Sequence, residues 1–288
     1  MVKIPGEHAL LGDFSYLYVR NQNMSIMKVA IIGAGNMGGA IACGLAASGR
    51  FAEGEIVCSN RSSEKLERLR EKHPSITVTT DNAAAVKEAD VVIIAVKPWY
   101  TENVIRQIRP ALDASRQLLV SVVAGVSFAQ LTEWLQPMHR PWALFRAIPN
   151  TAVELGCGMT FVTASNASEE QMSTVMSLFD MMGKSMAVDE KQLETGMILA
   201  SCGIAFALRY IRAAAEGGVE LGMPASQASR IVAQTMIGAA QLILHNGAHP
   251  EQEIDRVTTA GGITIRGLNE MEHAGFSSAV IRGLKACK

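Results

Sequence analysis

The chain is poor in several things, and each shortage excludes a class of function. Charged residues are only 18% of the 288, and 26 basic residues are offset by 27 acidic ones for a formal charge of −1. A near-neutral chain lacks the broad basic field of a general nucleic-acid binder, and its low charge also argues against disorder. The five cysteines, Cys43, Cys58, Cys157, Cys202 and Cys287, are scattered, odd in number and free of C-x-x-C spacing. That pattern speaks against a disulfide framework and a cysteine zinc site, leaves no metal to expect, and fits a reducing cytoplasm. No apolar run reaches the roughly 18 residues a bilayer crossing needs, because polar or charged residues interrupt each candidate. Repeats and low-complexity tracts are lacking too. What is present is 49% apolar residues with Gly 25 and Met 15, enough for a sizeable core. The length favours two domains in a soluble globular protein.

Residues 1–26 show neither helical nor strand period. Leu10-Leu11 is too short for a signal-peptide core, and no small-residue cleavage site follows it. The segment reads as a loosely ordered extension, with Met24 and Met27 both able to initiate. From Lys28 the pattern repeats strand, turn and helix. Strands are expected at 29–32, 55–59, 76–79, 91–96, 118–123 and 142–148, and a last one at 185–188. Ser168-x-x-Gln171 reads as a capping box opening a helix to about Met182. Largely apolar strands alternating with helices imply a parallel sheet covered on both faces. Near Lys191 the character changes, and Met197–Leu221 and Ser226–His245 read as long helices. The first is apolar around most of its circumference, so about 100 residues cannot cover it and subunits are expected to interdigitate their helices. The expected domains are 27–189 and 190–288.

Gly33-x-Gly35-x-x-Gly38 directly follows a strand and opens a helix, the context that gives this spacing meaning. The first glycine allows the tight turn, the second lets the backbone approach a pyrophosphate, and the third lets helix and strand pack closely. Free N–H groups at the helix start then face the anion. An NAD site usually places a carboxylate about 20 residues on. Here Ser59-Asn60-Arg61-Ser62-Ser63 comes instead, with none before Glu64. Arg61 with the amide and hydroxyl donors suits a 2′-phosphate, so NADPH is expected to bind better than NADH. The strand ends Val96-Lys97-Pro98 and Val123-Ala124-Gly125 should wall the nicotinamide end. Lys97 before a proline either acts chemically or only shapes its turn.

Met27–Gly38, Ala95-Val-Lys-Pro98, Arg146-Ala-Ile-Pro-Asn-Thr151 and Thr258-Thr-Ala-Gly-Gly-Ile-Thr264 occur in that order. Glu216-Gly-Gly-Val219, Gly222-Met-Pro224 and Gly267-Leu-Asn-Glu-Met-Glu272 follow the same pattern. Over about 27–286 the chain thereby resembles the pyrroline-5-carboxylate reductase family, which catalyses the last step of proline biosynthesis. The Gly-Gly-Ile-Thr segment is far more specific than the first motif, which many reductases share. The resemblance implies a Rossmann-type doubly wound, mostly parallel α/β sheet followed by an all-α oligomerisation domain, assembled as a homodimer or larger homo-oligomer. It implies that NADPH contacts Ile32, Gly33, Ala34, Gly35, Asn36 and Met37, together with Ser59, Asn82, Ala95, Val96, Lys97 and Pro98. Val122, Val123 and Ala124 would flank the nicotinamide. The carboxylate of 1-pyrroline-5-carboxylate would sit on Gly261, Gly262, Ile263 and the hydroxyl of Thr264, beside Ala124. A glycine pair opening a helix is indeed a nest of N–H donors, and a hydroxyl there adds one more.

Hydride would pass to the ring imine carbon, giving L-proline. The protonated imine is the better electrophile, so proximity and orientation suffice without a protein acid. No histidine falls at a strand end or a glycine turn, and His249 and His273 read as surface residues. Departures from the family pattern are also present. Ala200-Ser-Cys-Gly-Ile-Ala-Phe206 stands where Ser-Gly-Ser-Gly-Pro-Ala-Tyr is usual, so Phe206 brings no phenol. Ala260 and Ala152 each replace a proline. Cys202 reads as a small buried packing residue rather than a nucleophile, since no motif places a histidine beside it. Two alternatives compete: another imine or β-hydroxyacid reductase, and a non-catalytic NADP-binding protein. A β-hydroxyacid enzyme would want a lysine in Met197–Leu221, which has only Arg209 and Arg212.

Overall fold

Short runs rich in Val and Ile form the central strands of the sheet, because these side chains fill a pleated surface buried on both sides. The computed structural model describes residues 27–137 and 141–288, so the expected extension at 1–26 lies outside the described residues. The strands are β1 (Val29–Ile32), β2 (Ile56–Ser59), β3 (Thr77–Thr79), β4 (Val91–Ile94), β5 (Leu118–Ser121), β6 (Leu144–Pro149), β7 (Gly158–Ser165) and β8 (Gly183–Ala187). They form one sheet in the order β3-β2-β1-β4-β5-β6-β7-β8. Every pairing is parallel except β6 with β7.

Period-two alternation divides the strands between two cores. Val29, Ile31, Val91, Ile93, Val120 and Phe145 face Ile41 and Leu45 of α1 (Asn36–Ala47), Leu66 and Leu69 of α2 (Ser63–Lys72), and Leu178 and Phe179 of α6 (Glu169–Asp180). Ala30, Ile32, Val92, Ile94 and Leu119 turn the other way. They meet Val86 of α3 (Asn82–Val86), Ile105 and Ile108 of α4 (Pro98–Ile108), and Leu131 and Trp134 of α5 (Phe128–Trp134). Ser168 caps α6 by accepting from Gln171 N, and the Gln171 side chain returns the bond, the box expected from sequence. β7 was not expected, and it turns the far edge of an otherwise parallel sheet antiparallel.

After β8 every element is helical: α7 (Glu190–Met197), α8 (Gly203–Glu220), α9 (Ala225–Asn246), α10 (Pro250–Val257), α11 (Ile263–His273) and α12 (Phe276–Lys285). A π turn, Ile198–Cys202, joins α7 to α8, so the helix expected from Met197 begins seven residues earlier and is interrupted. Leu193 of α7 packs on Ile148 and Phe161, fastening this half to β6 and β7. Beyond that the helices bury almost nothing. Ala215 is the buried residue of α8 and Ala228 that of α9, while α10, α11 and α12 bury none. Leu221 and Leu244 are 90% and 81% exposed, a surface that calls for a protein cover.

The apolar stretch Glu190–Glu220 is interrupted by charged residues, as expected, yet it averages high. An 18-residue window within it reaches a mean hydropathy of 1.4, enough by length and composition alone to cross a membrane. An interrupted run still averages high when Ile, Leu, Ala and Phe outnumber the interruptions.

Candidate active site

The strand order reverses between β1 and β4, and the crevice at the carboxyl ends of those strands is where an open α/β sheet receives ligands. A cavity of about 660 Å³ lies there. On one side Gly33, Gly35, Asn36 and Met37 line it with the turn after β1 and the start of α1. Asn60, Arg61, Lys65, Thr80 and Asn82 line it from the ends of β2 and β3, and Ala95, Val96, Lys97 and Pro98 from the end of β4. Val122, Val123 and Ala124 close the far end.

The glycine turn is tightly specified. Gly33 has φ +104°, and a Cβ there would lie 2.8 Å from Ala95 O. A Cβ on Gly38 would lie 2.1 Å from Gly33 O, whereas one on Gly35 would meet no other protein atom within 4 Å. The gap over Gly35 is therefore left toward the cavity, not filled by packing. No side chain caps α1, and its first turn carries no acidic residue. Unpaired N–H groups and the positive end of the helix dipole face that gap, an arrangement that fits a pyrophosphate.

Four of the residues expected to touch a dinucleotide do not line the cavity. Ile32, Ala34 and Gly38 are buried behind the turn, where close packing needs them. Ser59 has no exposed surface either. Its carbonyl accepts from Gly33 N and Ala34 N, and its hydroxyl donates to Asn82 Oδ1 at 2.7 Å. Asn82 Nδ2 in turn donates to Gln107 Oε1 at 2.9 Å, so Ser59, Asn82 and Gln107 tie β2, α3 and α4 together. Lys97 does shape its turn: it is the N-cap of α4, and its carbonyl accepts from Tyr100 N and from the Thr101 hydroxyl. It also lines the cavity.

Sequence reasoning missed Lys65, Thr80, Tyr100, Asn103, Val104 and Gln107. The last four recur at helical spacing on α4, a stripe legible once Pro98 is taken as its first residue. Among the described residues the lining holds three cations, Arg61, Lys65 and Lys97, and no Asp, Glu or His. Arg61 lies over the ring of Tyr100, with the guanidinium carbon 4.2 Å from the centroid. The neighbouring Arg61, and after it Trp99, pulls the Tyr100 phenol below its ordinary range.

The second expected cluster lies elsewhere. Gly261 has φ +70°, Gly262 is the N-cap of α11 without a side-chain cap bond, and Ile263 and Thr264 are exposed. None of these four lines the cavity. Cys202 is half-buried rather than buried. Burial first and a hydrogen bond with Cys287 second push its thiol up, away from a nucleophilic thiolate. His249 caps α10 and His273 pairs with Glu270, both exposed. Among the described residues no group of three or more His, Cys, Asp or Glu could hold a metal ion.

Sheet topology, glycine turn and a cationic cleft without carboxylates define a dinucleotide-binding α/β protein extended by a helical half. Comparison with known proteins narrows this. Residues 190–288 match the family model described as pyrroline-5-carboxylate reductase dimerisation, and residues 28–125 the one described as NADP oxidoreductase, coenzyme F420-dependent. Pyrroline-5-carboxylate reductase 2 of Dictyostelium discoideum is 38% identical over 271 residues, which cover 89% of each chain. Pyrroline-5-carboxylate reductase 1 of the same organism is 40% identical, and the chain spans 48% of that relative's length. The structure of a pyrroline-5-carboxylate reductase from Coxiella burnetii is 28% identical, with a TM-score of 0.82, covering 91% of this chain and 96% of that one. The chain belongs to the pyrroline-5-carboxylate reductase family.

Proposed function

We propose that the protein reduces 1-pyrroline-5-carboxylate to L-proline with NADPH, as a cytoplasmic homo-oligomer. The observation that carries this is the cleft at the strand-order reversal, cationic and free of carboxylates, in a chain whose family is that of pyrroline-5-carboxylate reductases. Its residues suit the cofactor. Gly35 and the first turn of α1 hold the pyrophosphate; Asn60, Arg61 and Lys65 hold the 2′-phosphate, and NADH, lacking it, binds more weakly. Ala95, Val96, Lys97 and Pro98 flank the dinucleotide, and Val122, Val123 and Ala124 shield the nicotinamide end. When bound, NADPH supplies the hydride that the ring imine carbon accepts.

Gly261, Gly262 and Ile263 offer backbone N–H groups, and Thr264 a hydroxyl, to the substrate carboxylate. We assign residues 27–189 to the cofactor and 190–288 to assembly. The turn of one subunit would then reach the cleft of another, and the exposed apolar faces of α8 and α9 would be the seam between them. With no Asp, Glu or His in the cleft, the substrate brings its own proton on the imine nitrogen. The chain then contributes proximity and orientation, worth roughly 7–11 kcal/mol when reactants are well aligned.

The test is NADPH oxidation with and without 1-pyrroline-5-carboxylate. A substrate-dependent rate is expected, whereas NADPH binding without turnover of any cyclic imine would favour a non-catalytic role. Thr264→Val should raise KM for the substrate more than it lowers kcat, because it removes carboxylate binding common to ground and transition states. Unchanged kinetics would remove Thr264 from the site.

A further inference from the structure

The stacking of Arg61 on Tyr100 joins opposite walls of the cleft and is explained by neither the glycine turn nor the strand ends. Arg61 follows β2, and Tyr100 stands in the first turn of α4 beyond β4, yet the guanidinium carbon lies 4.2 Å from the ring centroid. The guanidinium meets this ring although a carboxylate, Glu64, is close by in sequence. Glu64 is engaged by Arg68 at 2.6 Å. Trp99 neighbours the ring, with centroids 6.0 Å apart and planes at 58°.

A guanidinium has five N–H donors, so one held over an aromatic ring still has donors with which to grip a phosphate in bidentate fashion. An arginine on an exposed loop would otherwise lose rotamer freedom each time it bound an anion, a loss that the ring incurs in advance. Lys65, in the first turn of α2, also lines the cavity.

We propose that Tyr100 is a specificity-determining positioning residue, whose ring holds the Arg61 guanidinium edge-on to the 2′-phosphate of the dinucleotide. This rests on the reading that Arg61 meets that phosphate, and the experiment separates the two. The intact oligomeric protein is titrated calorimetrically with 2′,5′-ADP, which carries the extra phosphate, and with 5′-AMP, which does not. Tyr100→Ala should weaken 2′,5′-ADP by about threefold to fivefold, the size of an exposed cation–π contact, and leave 5′-AMP alone. Tyr100→Phe keeps the ring and should restore the affinity, and the ratio of NADH to NADPH KM values should move in step.

If Arg61→Ala weakens 2′,5′-ADP while Tyr100→Ala does not, the Tyr100 role is overturned and the Arg61 reading survives. If neither variant weakens it, both fall. Equal losses of 2′,5′-ADP and 5′-AMP in Tyr100→Ala would make the ring an adenine platform instead and overturn the proposal, as would a Tyr100→Phe that falls as far as Tyr100→Ala.

Discussion

A Cβ placed on Gly38 would sit 2.1 Å from the Gly33 carbonyl oxygen, while one placed on Gly35 would reach into open cavity. The two glycines of one motif therefore answer to different demands, and alanine substitution separates them. Gly38→Ala must push the turn after β1 away from α1 and should cost about 1–3 kcal/mol in a denaturant titration, as overpacking does. Gly35→Ala should leave the unfolding midpoint in place. There the added methyl stands where a pyrophosphate would approach, so NADPH affinity should fall by about tenfold or more, ~1.4 kcal/mol. A Gly35→Ala protein that binds NADPH normally would detach the glycine turn from the cofactor. The spacing already assigns the second glycine to a pyrophosphate and the third to packing, and the Cβ distances divide the two positions in the same way.

At the scale of elements, β2 carries a pH signal in its core. Cys58 has no exposed surface, and burial first and the neighbouring Cys43 second push its thiol up to about 12 from 9.0. The folded pKa is the higher one, so the thiol's contribution to stability is complete below about pH 9. As pH rises toward 12 the unfolded chain releases this proton and the native one does not. Stability then falls by about 1.4 kcal/mol per pH unit from this group. Urea unfolding of wild type and Cys58→Ala at about pH 8 and about pH 10.5 should show the gap between them shifting in favour of the variant at the higher pH. Parallel losses would mean that the Cys58 proton is not linked to unfolding.

The legible elements were those whose local pattern and packing agree. β1 and β4 are continuous apolar tetrads, β5 is apolar up to Ser121, and α6 announces itself through Ser168 and Gln171. β7 escaped because Gly156 and Gly158 bracket its start and its threonines blur the apolar run. Its partner β6 runs antiparallel, a relation that no local spacing encodes. The π turn at Ile198–Cys202 escaped for a related reason: a helix widened by a residue keeps the composition of an ordinary one. In the cleft, motif residues at strand ends were readable, whereas Tyr100, Asn103 and Gln107 needed the orientation of α4.

For the whole molecule, the decisive fact is that the Gly261–Thr264 turn does not line the cleft, while α8 to α12 leave large apolar side chains exposed. If each subunit lends its turn to a partner's cleft, activity should obey a complementation rule. Gly35→Glu places a charge against the pyrophosphate and disables a cleft. Gly262→Val drives its side chain into Thr259, whose Oγ1 would lie 2.6 Å from the added Cβ, and disables a turn. Each variant alone should be inactive. In a heterodimer carrying one of each, both lesions fall in the same composite site and the other site is intact, so about half of the wild-type rate should return. Were cleft and turn of one chain to work together, each site would hold one lesion and the heterodimer would be as inactive as its parents. Co-expression with two affinity tags, tandem purification and the NADPH assay distinguish the outcomes, and an inactive heterodimer would return the site to a single subunit. The same result bears on Glu190–Glu220: an apolar helix that a partner subunit must cover for catalysis has its hydropathy explained by assembly rather than by a bilayer.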